Sequence, residues 1–302
     1  MVTSEHQLLI KSASYASCIV AVLILLIKLH AWFLTNSQSV LASLIDSMLD
    51  LTSSFINLIA IRFALKPPDH DHRFGHEKIQ DLTIFSQAIF FFISGILTCI
   101  SSVKSFLDKS IPTNLDYGIN VMYVCIILTI ILIIYQSYVI KRTSSEITKV
   151  DKLHYFIDLI TNITIIISIN LSARFWFMDS LFGACISLYI IYTAYALFRK
   201  AFKNLVDEEF PDQDREKIIH IISKFSEVKG VHEMKTRYAA NKPFIQCHIE
   251  MDGEMTLYNS HGISDQICNA LLSQFPGAEI IIHLDPYGYE KTVNYRENIG
   301  LL

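Results

Sequence analysis

The sequence predicts an α-helical membrane protein with six transmembrane helices, followed by a small α+β domain. Of its 302 residues, 52% are hydrophobic and only 18% are charged, whereas soluble proteins average about 25% charged residues. Apolar runs long enough to cross a bilayer fill the chain up to residue 206, and charged residues are denser after it. This distribution excludes a single soluble domain and a disordered chain. We place the domain boundary between residues 206 and 207, so that the domains are 1–206 and 207–302.

Six apolar stretches are each close to the roughly 20 helical residues that a bilayer core about 30 Å thick requires. Lys and Arg gather in the segments that follow the second, fourth and sixth stretches, and such segments usually stay in the cytoplasm. Both chain termini are therefore predicted to be cytoplasmic. The predicted spans are residues 13–34, 40–65, 82–106, 119–140, 153–171 and 175–198.

Cysteine content and net charge exclude two other classes of protein. The six cysteines form no CxxC pair, and four of them lie within apolar runs, which argues against a secreted disulfide scaffold. A net charge of −4 gives no basic footprint for nucleic acid. The expected surroundings of the first domain are membrane lipids.

Charged or polar side chains interrupt two of the predicted spans at matching intervals. In span two, Asp46 and Asp50 are four residues apart, and in span five His154 and Asp158 repeat that spacing. Residues four apart share one face of a helix, and a carboxylate in the bilayer centre costs about 2.5–3.5 kcal/mol even on the scale that penalises it least. Two facing helices would bring together four oxygen and nitrogen ligands, the number that tetrahedral Zn²⁺ takes.

The alternative for these four residues is that they face water or cap helix ends. Two matched pairs on two spans favour a metal site over that alternative. The position of His154 leaves a second question open, because hydropathy places it near the cytoplasmic edge of span five. Either span five extends beyond its predicted boundary, or an aqueous cavity reaches the site from inside.

A short loop after span two carries a second candidate site. Pro67 and Pro68 are expected to end the helix. Asp69, His72 and His76 follow in the pattern D-x2-H-x3-H, and carboxylate and imidazole groups at short spacing suit Zn²⁺. The alternative is a solvated polar loop, and a site this open would bind metal weakly unless a neighbouring element closed it.

The segment after residue 207 has the pattern of a two-layer α+β unit of about 80 residues. Residues 244–251 alternate between apolar and polar side chains, as a strand with one buried face does. Apolar residues at helical spacing indicate two helices. The predicted order is helix 212–225, strand 231–238, strand 244–251, helix 257–275 and strand 279–284.

Four histidines and one aspartate in this unit form a third candidate site. His283 and Asp285 are two residues apart and so share one face of a strand, and His248 lies on the polar face of another strand. Because five ligands exceed the need of one tetrahedral ion, two metals could share the site. Scattered surface histidines are the alternative. The candidate ligands are His232, His248, His261, His283 and Asp285.

These motifs resemble those of the cation diffusion facilitator family, in particular its bacterial ferrous-iron and zinc efflux branch. The similar segments are SLIDSMLD, PPDHDHRFGHEK, DKLHYFIDL, VHEMKTRY, KPFIQCHIEM and IIHLDP. Together they cover nearly the whole chain, and the paired DxxxD and HxxxD motifs are the most specific. In the family pattern the three groups of candidate ligands are a transport site, a loop site and a site in the cytoplasmic tail.

The resemblance implies an activity and an architecture. It implies efflux of Zn²⁺, or of Fe²⁺ or Cd²⁺, across a bacterial inner membrane by a transporter and not by an enzyme. It also implies a metallochaperone-like, ferredoxin-like cytoplasmic domain that pairs with a second copy in a homodimer. One imidazole among three carboxylates suits these metals better than Mn²⁺, which favours ligation by oxygen alone.

The ligand set also predicts how transport is driven. Three carboxylates gathered with an imidazole in the membrane repel one another, so the site without metal is expected to hold protons that the arriving metal displaces. Alternating exposure to the two sides would then exchange metal for protons.

The sequence gives less support to two functions of other classes. An intramembrane metalloenzyme would need a water-activating group, and the sequence has no HExxH motif. A metal-sensing membrane receptor that signals through its cytoplasmic tail would leave the charges in spans two and five unexplained.

Overall fold

The computed structural model describes residues 4–35, 38–108, 116–172 and 177–288. Within some helices the side chains of further residues, Asp46 among them, lie outside the described part. The chain divides into two compact units, a helical one over Val2–Phe202 and an α+β one that begins at Lys203.

Six long helices make up the first unit, and each overlaps one predicted span. Four of them are long and apolar enough over their described residues to cross a membrane, namely Glu5–Ala31, Lys78–Leu107, Asn120–Thr143 and Ser180–Leu205. The second and fifth helices do not meet this measure over their described residues, and these two hold the charged candidate ligands. A membrane domain is thus supported, and the count of six spans stays a prediction. The helices are α1 Ser4–Thr35, α2 Gln38–Ala64, α3 Lys78–Leu107, α4 Asp116–Thr143, α5 Glu146–Ser172 and α6 Met178–Leu205.

Polar groups lie inside the helical unit and large apolar side chains lie outside it. Helix α1 packs against α2 and α4, and α4 packs against α5. Ser17 and Gln136 are buried in this packing. Leu97, Ile134 and Tyr192, in contrast, are each more than 60% exposed. Extended apolar surface of this kind marks contact with another apolar phase. The outer surface of the unit is therefore suited to lipid.

Helix α5 begins seven residues before the predicted start of span five. Ser145 caps it, because its hydroxyl accepts the backbone N–H of Thr148 at 3.3 Å, and such caps stabilise a helix start whatever the hydropathy that follows. His154 therefore lies eight residues, or about 12 Å, inside the helix. The helix thus extends beyond the predicted start of span five, while the choice between a longer span and an aqueous cavity stays a prediction.

The second unit has the predicted order of elements. Its three-stranded sheet has the order β1-β2-β3, with β1 antiparallel to β2 and β3 parallel to β2. Both helices cover one face of this sheet, where Ile218 and Ile222 of the first pack with Ile267 and Leu271 of the second. The opposite face is left for polar side chains. The elements are α7 Asp212–Ile222, β1 Gly230–Ala239, β2 Lys242–Met251, α8 Leu257–Gln274 and β3 Glu279–Pro286.

Candidate metal centres

Three groups of side chains in the described residues have the spacing that a metal ion requires. In each group, one ligand atom from each of three residues lies within 4.8 Å of the others. Tetrahedral Zn²⁺ with bonds of about 2.0 Å holds its ligand atoms about 3.3 Å apart. We call the groups the intramembrane site (Asp50, His154, Asp158), the loop site (Asp69, His72, His76) and the tail site (His232, His248, Asp285).

The intramembrane site joins α2 to α5 through one imidazole nitrogen. His154 Nε2 lies 3.1 Å from Asp50 Oδ1 and 3.5 Å from Asp158 Oδ2. Both separations are close to the tetrahedral edge given above, and both carboxylates are acceptors that could share either a proton or a divalent ion with the ring. Asp46 lies one turn before Asp50 on α2, and its side chain is outside the described residues.

Two aromatic rings fix the orientation of His154. Phe91 of α3 is buried and stacks on the imidazole, with ring centroids 5.3 Å apart, while Tyr155 meets it edge-on at 5.5 Å. The three ligand side chains are 17–32% exposed. The imidazole is thus held in place, and the three ligand side chains are only partly enclosed by the described residues.

The loop site is built by the backbone turn of residues 69–76. Asp69 Oδ1 accepts the backbone N–H of His72 at 2.7 Å and lies 3.0 Å from His72 Nδ1, while Asp69 Oδ2 lies 3.4 Å from His76 Nε2. Gly75 has a φ of +92°, which side-chain-bearing residues adopt at a cost, and its N–H donates to the carbonyl oxygen of His72. This turn brings His76 back toward Asp69.

The electrostatics of this loop favour an ionised carboxylate. The backbone N–H of His72 holds the pKa of Asp69 below its usual value, with smaller contributions from the His72 side chain and the backbone of Asp71. His76 is buried, whereas Asp69 and His72 are more than half exposed. One ligand is therefore already enclosed, which an open solvated loop would not provide.

Strand register builds the tail site. His232 on β1 pairs with His248 on β2, and His248 pairs with His283 on β3, so three imidazoles form a row across the sheet. Asp285 follows on the same face of β3, and its Oδ2 lies 2.8 Å from His248 Nδ1 and 3.4 Å from His232 Nε2. His283 Nε2 lies 3.2 Å from Asp285 Oδ1. Four of the five predicted ligands are thus together.

The structure does not bring His261 to this group. It lies on α8, where it is exposed and sits 3.5 Å from Asp265. Helix α8 packs against the apolar face of the sheet, whereas the histidine row occupies the opposite face. Within one chain, the sheet therefore lies between His261 and the histidine row.

Two further carboxylates lie beside the tail site and were not among the predicted ligands. Glu250 Oε1 lies 3.6 Å from His232 Nδ1, and Glu233 Oε2 lies 3.7 Å from His248 Nε2. The alternation of β2 places Glu250 on the same face as His248, which is a signal that the sequence contains. Glu233 has a φ of +47° where β1 bulges after His232, and no sequence pattern indicates that bulge.

Two family models match the chain, one over the helical unit and one over the α+β unit. Residues 14–206 match the transmembrane domain of cation efflux proteins, and residues 210–287 match the cytoplasmic domain of cation efflux proteins.

Relatives match over nearly the full chain. The sequence is 64% identical over 296 residues to protein p34 of Rickettsia prowazekii (strain Madrid E), covering 98% of this chain and 99% of that one. It is 37% identical over 279 residues to the cation-efflux pump FieF of Escherichia coli (strain K12 / DH10B), covering 92% and 93%. Among solved structures, the Zn form of CzrB is 30% identical and covers 28% of this chain and 98% of its own, with a TM-score of 0.26.

Proposed function

The chain belongs to the cation efflux family, whose members are transporters and not enzymes, and we propose that it exports Zn²⁺, Fe²⁺ or Cd²⁺ in exchange for protons. The observation that carries the proposal is the convergence of Asp50, His154 and Asp158 on one point between α2 and α5. Asp46, one turn from Asp50, is the fourth ligand in this proposal. Burying the pair Asp46 and Asp50 on α2, or the pair His154 and Asp158 on α5, in an apolar helix costs desolvation energy. This cost is explained if the two pairs serve a function such as metal binding.

The donor set supports the choice of metals. Imidazole nitrogen and carboxylate oxygen together suit Zn²⁺ and its neighbours, whereas Mg²⁺, Ca²⁺ and Mn²⁺ favour oxygen alone. The separations of 3.1 and 3.5 Å around His154 are already close to those of a tetrahedral zinc centre.

Proton exchange follows from the same geometry. Without metal, a proton on His154 is shared with Asp50 at hydrogen-bond distance, which relieves the repulsion between the carboxylates. A divalent ion must displace such protons, because its ligands bind in their deprotonated forms. If the site opens alternately to each side, each ion that leaves is replaced by protons, and the proton gradient across the membrane drives export.

The loop and tail sites are proposed to bind metal on the cytoplasmic side. Both have ligand separations between 2.8 and 3.4 Å from a single aspartate, which fits a zinc ion. The second unit matches the cytoplasmic domain of the family, and we place both chain termini and this unit in the cytoplasm of a bacterial cell, with two copies forming a homodimer. Metal at the tail site would tighten that dimer when cytoplasmic metal is abundant, and would thereby promote transport.

Metal flux in reconstituted vesicles tests the proposal. The full chain is placed in vesicles that contain a zinc-sensitive dye, Zn²⁺ is added outside, and a pH gradient is imposed. We expect uptake that saturates with Zn²⁺ and is lost in His154→Ala. Uptake no faster than in protein-free vesicles, with the protein folded and inserted, would overturn the proposed function. Repeating the measurement with Fe²⁺ and Cd²⁺ ranks the metals.

A further inference from the structure

Asp151 is a buried carboxylate that the metal sites do not use. It lies on α5, three residues before His154, and only 4% of its surface is exposed. None of the three ligand groups in the described residues includes it. Because a buried carboxylate without hydrogen-bond donors costs several kcal/mol, its presence inside a helical unit calls for an explanation.

Asp151 receives hydrogen bonds from two other helices. The hydroxyl of Ser17 on α1 donates to its Oδ2 at 2.5 Å, and Nε2 of Gln136 on α4 donates to the same oxygen at 2.7 Å. Both donors are buried and uncharged, and Nε2 of Gln136 also donates to the Ser17 hydroxyl at 3.0 Å. One side chain therefore ties α5 to α1 and α4.

Tyr155, one turn further along α5, makes a second tie. It is fully buried, its hydroxyl donates to the backbone carbonyl of Ser17 at 3.0 Å, and it shares a hydrogen bond with Ser54 of α2 at 2.8 Å. Asp151 and Tyr155 are four residues apart and so form one stripe on the helix. This anchoring stripe is bound to α1 along its length.

The anchoring stripe lies next to the ligand stripe on the same helix. His154 and Asp158 are each three residues after a member of the anchoring stripe, which places the two stripes about 60° apart around the axis. The rotation of α5 is therefore set by the bonds of Asp151 and Tyr155, and that rotation decides where His154 and Asp158 point.

Ligand geometry is sensitive to this rotation. Side chains extend about 5–6 Å from a helix axis, so a turn of about 20° would move their tips by about 2 Å. Metal sites tolerate deviations of only about 0.2 Å in ligand distance. A loose α5 would thus still carry the ligands without holding them around one ion.

On the basis of the proposed function, we propose that Asp151 is a positioning residue for the intramembrane site. Its carboxylate locks the rotation of α5 against α1 and α4, and so holds His154 and Asp158 toward Asp50. The role depends on hydrogen-bond geometry and not on the charge, because the donors are neutral.

The dependence on geometry and not on charge makes Asp151→Asn a conservative variant, because its remaining oxygen can still accept from Ser17 and Gln136. Asp151→Ala removes the acceptor. Ser17 and Gln136 then keep only their bonds to Ala13 and to each other, and neither of these bonds reaches α5.

The test measures zinc affinity and zinc flux on the full chain, in a background where Asp69→Ala and His248→Ala disable the loop and tail sites. We expect Asp151→Ala to raise both the zinc Kd and the KM of flux by about tenfold or more, and Asp151→Asn to stay within about threefold of the background. Thr129→Ala is the matched control, since this buried hydroxyl on α4 donates to Cys125 in its own helix, and it should change neither value.

Two results would overturn the inference. One is an unchanged zinc Kd in Asp151→Ala, which would reduce the residue to a support of stability alone. The other is an Asn variant as impaired as the Ala variant, which would assign the effect to charge.

If the Ala variant fails to fold, Ser17→Ala and Gln136→Ala take its place. Each is expected to raise the zinc Kd by about threefold, and an unchanged Kd in both would contradict the inference. Zinc binding without flux in the unsubstituted protein would refute the proposed function but would leave the Kd comparison decisive for Asp151.

Discussion

Asp50 and His154 meet at 3.1 Å although 104 residues separate them in the sequence. The contact joins a carboxylate of α2 to an imidazole of α5, and Asp158 completes the group from the same face of α5 at 3.5 Å. Two i,i+4 patterns on separate helices thus become one cluster of metal ligands.

Replacing Asp50 by Asn should stop metal transport without unfolding the protein. The amide keeps the size of the side chain but removes the anionic oxygen that a divalent ion requires, so we expect flux to fall by about 100-fold or more. Thr52→Ala is the control on the same helix, because the Thr52 hydroxyl donates to Met48 in its own helix. Zinc flux in vesicles at equal amounts of inserted protein is the measurement, and near-normal flux in Asp50→Asn would refute the role of the intramembrane site.

Transport should depend on the proton gradient. Zinc uptake into vesicles is measured at one fixed zinc gradient, once with matched pH and once with the interior made acidic relative to the outside. Faster uptake with the acidic interior is expected, because protons leaving the vesicle are exchanged for entering metal. A pH-sensitive dye inside should report alkalinisation as zinc enters. Equal zinc flux under both conditions would indicate uncoupled facilitation.

Asp69→Ala should weaken zinc binding at the loop site by about tenfold, because this carboxylate contacts both histidines of the site. His70→Ala is the matched control, since His70 lies between the ligands in sequence but is 90% exposed and faces Asp71. Calorimetry on the full chain in a His248→Ala background is the measurement. Equal affinities of Asp69→Ala and His70→Ala would contradict the assignment.

The loop site should release zinc as the solution is acidified, because its ligands bind metal in their deprotonated forms. The backbone N–H of His72 holds the pKa of Asp69 below its usual value, so the stabilising contribution of Asp69 is present above the unfolded-state pKa and is lost only as pH falls through the lower folded-state pKa. Zinc affinity measured by calorimetry in the His248→Ala background should fall as pH falls, and an affinity that does not change with pH would contradict the assignment of these ligands.

His248→Ala should remove metal from the tail site, because this ring lies at the centre of the histidine row and contacts Asp285. The expected result is a higher zinc concentration for half-maximal flux, with the maximal flux retained. His220→Ala, an exposed histidine of α7, should leave the concentration dependence unchanged. Deletion of the chain after residue 208 should act in the same direction as His248→Ala, and an unchanged concentration dependence in both would exclude regulation by the tail.

Much of the candidate chemistry was readable from local patterns. The DxxxD and HxxxD spacings indicate ligands on one helix face because helical geometry is set by the local backbone, and the D-x2-H-x3-H loop is contiguous. The alternation of residues 244–251 predicted which face of β2 holds His248. Each of these inferences needs only the period of a helix or a strand.

Other features depended on how distant segments pack. His261 and His283 look equivalent in sequence, and only the packing of α8 against the apolar face of the sheet separates His261 from the histidine row. The start of α5 at Glu146 depended on a capping hydroxyl that hydropathy does not register.

The sequence by itself determined the class of protein, the order of its elements and the chemistry of its ligands, because periodicity and donor type are local properties. Only the tertiary structure decided which ligands meet, and it alone revealed Asp151 as the point where α5 is joined to α1 and α4. A buried carboxylate looks like any other charged residue at a helix start until its two donors, each from a different helix, are brought to it by the fold.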